Sequence, residues 1–134
     1  MSQENVEIVR RALEAINRGD VDAVVESASE DFEADWSNSR GLLSGIHRGR
    51  EEAREGLKAF LEPWESLRWD PEELIELDDD RVLTVSHIRM RGRGSGVDVS
   101  ARGASIWTVR AGQVAAIKLY QSKAEALEAA GLSA

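Results

Sequence analysis

Residues 97–121, VDVSARGASIWTVRAGQVAAIKLYQ, decide the fold. Apolar and polar side chains alternate on both sides of Arg110-Ala111-Gly112-Gln113, the pattern of two strands joined by a tight turn. Two strands this long cannot lie flat on a chain of 134 residues. They are expected to form the centre of a strongly bent sheet, with everything N-terminal folded against its hollow side.

Upstream of this pair, Gly92-Arg93-Gly94-Ser95-Gly96 reads as a flexible hairpin, preceded by a strand over 81–91, a turn at Asp78-Asp79-Asp80 and a strand over 67–77. Asp70-Pro71 interrupts the last of these and predicts a bulge or an edge position, because proline has no N–H for a ladder. Downstream, Ser122 and Glu125 have capping-box spacing and open a final helix ending near Gly131. Toward the N-terminus, Val6, Val9, Leu13 and Ile16 recur at helical spacing over 4–18. Asn17-Arg18-Gly19 ends that helix and Asp20 caps a second over 21–28, so the two form an antiparallel pair. Residues 31–36 read as a short strand, with Phe32, Ala34 and Trp36 on one face and Glu33 and Asp35 on the other. A loop over 37–45 and a brief strand over 46–49 follow. A third helix, 50–62, presents Ala53, Leu57, Phe60, Leu61 and Trp64 as its buried stripe and stops at Pro63. Helices followed by a run of strands predict one α+β domain over 1–134.

A chain of this length buries about 68% of its unfolded surface, enough for one core and one pocket. Hydrophobic residues make up 42% and charged residues 31%, an ordinary globular composition. The formal charge of −8 repels phosphate backbones and argues against nucleic acid as a partner. Arg89, Arg91 and Arg93 alternate and read as a solvated or subunit-contacting strand face, paired with nearby acids. No apolar run approaches the ~20 residues of a membrane span, and the first residues are no signal peptide. The absence of Cys excludes disulfides and thiolate sites and fits a cytoplasmic protein. His47 and His87 are the two histidines, read as structural or surface residues. A metal site needs three or four converging ligands, so neither metal nor cofactor is expected.

Four stretches resemble the SnoaL-like branch of the nuclear transport factor 2-like superfamily. They are Asn17-Arg18-Gly19-Asp20-Val21-Asp22-Ala23, His47-Arg48-Gly49-Arg50-Glu51, residues 103–114, and Tyr120 with residues 124–132. The resemblance implies a cone-shaped α+β barrel, in which a strongly curved, antiparallel or mixed sheet wraps a long helix and leaves a pocket at the wide end. Members include polyketide cyclases, ketosteroid isomerases, epoxide hydrolases, dehydratases and non-catalytic binding or assembly modules, so the fold does not select a function.

Strand parity proposes which residues line the hollow. A turn at Gly94-Ser95 pairs Met90 with Val99 and places Ser86, Ile88 and Met90 inside with Ala101, Gly103, Ser105 and Trp107. Ile117, Leu119 and Gln121 share that face on the last strand, and Trp36 and Phe60 approach it from the N-terminal half. Small residues at mid-strand (Ala101, Gly103, Ser105) suggest an unfilled, mainly apolar pocket for a small hydrophobic ligand, with Gln121 at its mouth. Core packing is the ordinary role of the four tryptophans; Trp107 and Trp36 are the first candidates for pocket lining.

The resemblance to ketosteroid isomerases places Asp35 near their general base. Burial among Trp36, Phe60 and Trp107 would raise its pKa toward a useful range. Alternation instead turns Asp35 to the opposite face, in a solvent-facing or loop-capping role. The isomerases' hydrogen-bonding partners would fall at Ala12 and Ser105, which supply no oxyanion hole. Ser122 stands where the SnoaL-like pattern commonly has Asp. Three readings follow: a ligand-binding domain, a lyase, isomerase or hydrolase using Asp35, and an assembly domain. A homodimer is expected through the outer sheet face, with Tyr120, Leu83, Val85 and the arginine row in contact.

Overall fold

In the computed structural model, which describes residues 2–38 and 44–132, the strands flanking Ala111-Gly112 are the middle pair of a six-stranded sheet. The elements are α1 (Ser2–Arg18), α2 (Val21–Glu26), β1 (Ala28–Asp35), β2 (Ile46–Arg48), α3 (Gly49–Leu61), β3 (Trp64–Glu76), β4 (Arg81–Gly92), β5 (Asp98–Arg110), β6 (Gln113–Tyr120) and α4 (Lys123–Ala129). Residues 39–43 of the expected loop lie outside the described residues. The sheet is curved and mixed, in the order β2-β1-β6-β5-β4-β3. Among the described residues, only β1 and β6 pair in parallel.

The register follows from the turns. Arg110 pairs with Gln113, leaving Ala111 (φ 51°) and Gly112 (φ 77°) as a two-residue loop with both centres left-handed. That is the type I′ geometry, whose twist matches the flanking strands. Met90 pairs with Val99, so Ser86 and Ile88 lie opposite Gly103 and Ala101, as parity predicts. β3 is an edge strand whose register shifts between Pro71 and Glu73, the expected accommodation of proline.

The two faces of the sheet are covered differently. On one, Val9, Leu13 and Ile16 of α1 join Phe32, Trp69, Trp107, Val109 and Ile117 in the main core. On the other, Ala126 of α4 packs with Leu83, Ala104 and Ile106, flanked by Ile75, Leu77 and Tyr120. The Ser122 side chain accepts from the Glu125 N–H at 3.1 Å and starts α4. Leu83 and Tyr120, expected at a subunit contact, are therefore packed under α4 of the same chain, whose own apolar face needs that cover.

Other expectations are corrected. Ala28 opens β1 rather than ending α2, and Trp64 opens β3 rather than extending the stripe of α3. Pro63 enforces the second boundary: the helix stops before it, and its carbonyl accepts from the Arg93 N–H at 2.8 Å. Arg93 itself leaves the strand row. Its guanidinium donates to the Glu62 carbonyl at 3.1 Å and the Trp64 carbonyl at 3.0 Å, beside the open C-terminal end of α3. Arg89 pairs with Asp70, and Arg91 with Asp98 at 2.9 Å, as anticipated.

α1 is fastened along the β3–β4 side of the sheet at both ends. Asn17 donates from Nδ2 to the Trp69 carbonyl at 3.0 Å, and its Oδ1 accepts from the Trp69 N–H at 2.7 Å. Both backbone groups belong to the edge strand, so one amide side chain stands in for a missing neighbour. Near the other end, Asn5 Nδ2 donates to the Asp79 carbonyl at 2.7 Å.

Asn17→Ala is expected to cost about 2 kcal/mol, from two hydrogen bonds of about 1 kcal/mol each. Urea unfolding checks this, and Asn17→Asp, which keeps only the acceptor, should fall between the two. Ala111→Asn should raise stability by about 0.5 kcal/mol, because Asn tolerates the left-handed conformation better than Ala; an unchanged or lower urea midpoint would contradict it.

Candidate functional site

Small side chains on the helices and on β1 leave a gap under α3. A cavity of about 80 Å³ lies there. Ala12 and Ile16 of α1, Val24 and Val25 of α2, and Phe32 and Ala34 of β1 border it on one side. Ala53, Gly56, Leu57 and Phe60 of α3 roof it, and Trp69, Trp107 and Ile117 reach it from the sheet. The apolar stripe of α3 is only half-buried, and no residue of this helix is fully buried. An amphipathic helix normally buries that stripe fully against a core; here Ala53, Leu57 and Phe60 pack against the core only in part and border the gap.

Polar bonds at the rim tie α3 to its neighbours. Arg50 Nε donates to the Ala28 carbonyl at 2.9 Å, tying the start of α3 to β1. Arg54 pairs with Asp22, tying α3 to α2. The cavity wall has few polar groups. Trp107 Nε1 donates to Thr84 Oγ1 at 3.0 Å, and Ser27 Oγ donates to the Val24 carbonyl at 2.6 Å. Trp69 Nε1, on a side chain 4% exposed, is buried without a partner. His47 is the one ionisable side chain among the described lining residues.

Of the residues that parity nominated, Trp36, Phe60, Trp107 and Ile117 line the cavity. The others lie elsewhere. Ala101 is exposed, and Met90 borders a solvent-facing hollow with Leu67 and Val99, because the β4–β5 hairpin runs out beyond the helices. Gly103 approaches β6 closely; an added Cβ would sit 3.4 Å from the Tyr120 carbonyl oxygen. Ser86 and Ser105 are buried beside Thr84, outside the cavity, and Ile88 packs against the core. Leu119 is half-buried. Gln121, expected at a pocket mouth, ties down the chain after β1: its Nε2 donates to the Asn38 carbonyl, and Asn38 Nδ2 donates to the Leu119 carbonyl at 3.2 Å.

Asp35 also turns away from the cavity. Its neighbour across the parallel ladder is Lys118, whose Nζ lies 3.6 Å from its carboxylate. Its Oδ1 accepts from the hydroxyl of Ser37 and, at 3.0 Å, from the Ser37 N–H. These hydrogen bonds, with Lys118 beside them, hold its pKa below the ordinary aspartate value of 3.8, although burial opposes them. Of the two readings, the loop-capping one given by alternation matches this geometry, and the raised pKa implied by the resemblance to the isomerases does not.

Sequence reasoning missed His47, Trp69 and Gly56. Ala53, Gly56, Leu57 and Phe60 repeat at helical spacing, and the small members of that stripe were the available signal. A glycine inside a helix costs about 1 kcal/mol relative to alanine, and the φ of Gly56 is not left-handed. Its reason is spatial: a Cβ there would lie 2.8 Å from His47 Nδ1. Among the described residues, no three side chains of metal-ligating type converge. No helix among them is long and apolar enough to cross a membrane.

The model of the SnoaL-like domain family matches residues 9–117. No curated protein matches the chain. Among solved structures, a nuclear transport factor 2-like protein of unknown function from Burkholderia pseudomallei is similar at 22% identity and TM-score 0.77, covering 96% of this chain and 97% of its own. TerC, co-crystallised with polyporic acid, is similar at 18% identity and TM-score 0.75, covering 96% and 97%. SalBIII, an epoxide hydrolase/cyclase-like enzyme with a role in pyran ring formation in the polyether salinomycin, is similar at 20% identity and TM-score 0.75, covering 88% and 90%. At these identities the likeness shows a shared fold.

Asp35→Asn tests the assignment of that carboxylate. A group whose pKa is depressed by folding stabilises above its unfolded value and loses that contribution as pH falls through its folded value. The wild-type protein should therefore lose stability more steeply than the variant below about pH 4. Urea midpoints from about pH 6 to about pH 2.5 measure the difference; parallel acid limbs would contradict it.

Proposed function

The chain belongs to the SnoaL-like domain family, and from that premise we propose that it binds a small apolar molecule in the cavity beneath α3. The observation that carries this is the half-buried apolar stripe of α3 over a space walled by alanines, valines and aromatic rings. Its volume, about 80 Å³, is roughly half that of an engineered dry cavity that takes benzene (~150 Å³). A single small ring, or one ring of a larger molecule, therefore fits only if a wall gives way. α3 is the wall that can adjust, since its apolar stripe is only half-buried.

Binding is favoured over proton abstraction by Asp35. No carboxylate among the described residues borders the cavity, and Asp35 is committed to Ser37 and Lys118. An assembly role has less support. The outer face not covered by α4 carries the Arg89–Asp70, Arg91–Asp98 and Arg102–Glu72 pairs, and interface cores are depleted of charge.

Toluene is a suitable probe. Saturating it should raise Tm and change the tryptophan fluorescence, because Trp36, Trp69 and Trp107 all line the cavity. At 100 times Kd the stabilisation is about 2.7 kcal/mol. Ala53→Leu fills the space from α3 and should abolish the toluene shift without lowering the variant's own Tm. A shift that survives this substitution, or no saturable toluene response in the wild-type protein, would overturn the proposal.

A further inference from the structure

The cavity admits a ring only when a wall gives way, so one border of α3 has to part. Its borders are closed by different means. Against β1 and β2, Arg50 Nε donates to the Ala28 carbonyl at 2.9 Å, and Arg48 pairs with Glu33 across the ladder at 3.1 Å. Against the sheet, Phe60 packs edge-on to the buried Trp69 ring, with centroids 6.3 Å apart. Toward α2, Arg54 pairs with Asp22. The hydrogen bond and charge of Arg54, and then the charge of Lys58 one turn further on, hold the Asp22 carboxyl below its ordinary value of 3.8. Asp22, and after it Glu51 and Glu26, push the Arg54 guanidinium up. Acids four residues apart on α2 thus meet bases four residues apart on α3, a spacing that keeps each pair on one helix face. The same turns carry Val24 and Val25 on α2 and Ala53 and Leu57 on α3, which line the cavity. The seam is an apolar slot closed on the outside by ions. The Asp22 side chain is 76% exposed, and ion pairs so open to water are weak and screened by salt.

We propose that the seam between α2 and α3 is the doorway of the cavity and that the ion pair of Asp22 with Arg54 is its latch. This rests on the ligand-binding reading above and adds how that site exchanges its ligand. Parting the helices here returns two charges to water that already reaches them. Parting α3 from β1 would instead take the Arg50 hydrogen bond from the carbonyl of Ala28, a buried residue, and lifting it off the sheet would open core packing at Trp69. The latch lies outside the cavity and touches no ligand. It stabilises the closed seam equally with the cavity filled or empty, so it slows entry and exit together and leaves affinity unchanged. Exchange of an uncharged ligand then depends on ionic strength, because the door and not the ligand carries the charge.

The test measures exchange of para-fluorotoluene, an analogue of the toluene probe, by fluorine relaxation dispersion on the full chain. Asp22→Asn and Arg54→Gln should each raise the association and dissociation rates about threefold, the scale of one exposed ion pair, with Kd unchanged. The double variant should be no faster than either single one, because both remove the same interaction. Raising NaCl from ~10 mM to ~500 mM should speed exchange in the wild-type protein and move the variants much less. Arg102→Gln breaks an ion pair on the outer sheet face and should change neither rate. Wild-type rates in both single variants, additive acceleration in the double variant, or salt-independent wild-type exchange would each overturn the latch while leaving para-fluorotoluene binding intact. Exchange that responds to Arg93→Ala and not to Asp22→Asn would also overturn it, placing the doorway at the C-terminal end of α3, where Arg93 holds the Glu62 and Trp64 carbonyls. Absence of saturable para-fluorotoluene binding would instead remove the ligand-binding reading and this inference with it.

Discussion

The α1 wall of the cavity takes its position from how that helix is attached to the sheet. Asn17 forms a two-way bridge to the Trp69 backbone, and Asn5 reaches the Asp79 carbonyl, so the helix lies along the β3–β4 side. Directional bonds at the two ends fix where it lies, and between them Val9, Ala12, Leu13 and Ile16 are buried in the core with Trp107 and Ile117. The same bridge positions Trp69, since the bonded backbone groups are its own.

α3 follows the same logic on the other side. Arg50 and Arg54 secure it to β1 and α2 through polar contacts at the rim, and Arg93 supports its C-terminal end. The helix is therefore placed without having to bury its apolar stripe. Burial of that stripe would be worth about 25 cal/mol per Å² of apolar surface removed from water. The fold forgoes part of this, and an apolar ligand can supply it. Charge stays outside: the acids and bases pair along the rim and outer face, while the cavity wall carries one ionisable ring. Asp35 illustrates the separation, with Ser37 and Lys118 holding its charge on the far side of the strand.

Much of the fold was legible because it is written in short-range patterns. Alternation over 97–121, the Ala111-Gly112 turn and the Asp70-Pro71 interruption located the central strands, their register and the sheet edge. The Ser122–Glu125 cap and Gly19 marked helix ends. The site was less legible, because parity states which face a residue points to, not what lies above it. Ala101, Gly103 and Ser105 have the right parity, yet the hairpin carries Ala101 out past the helices, Gly103 answers a close carbonyl, and Ser105 sits under packed core. The space came instead from small residues on α1, β1 and α3. Asn17 looked like a helix terminator, and nothing local disclosed its bridge to a residue 52 positions away. His47 looked like a structural or surface residue of a brief strand, because only the packed structure brings it to Gly56.

The central claim is that a dry, ligand-accessible space persists beneath α3. A crystal of the protein pressurised with xenon tests this most directly, since xenon enters apolar cavities without needing any polar recognition. The account predicts a xenon atom among Ala34, Leu57, Trp69 and Trp107 with the protein otherwise unchanged. A xenon-free map in which Leu57 and Phe60 have dropped onto the sheet and filled that volume would contradict it.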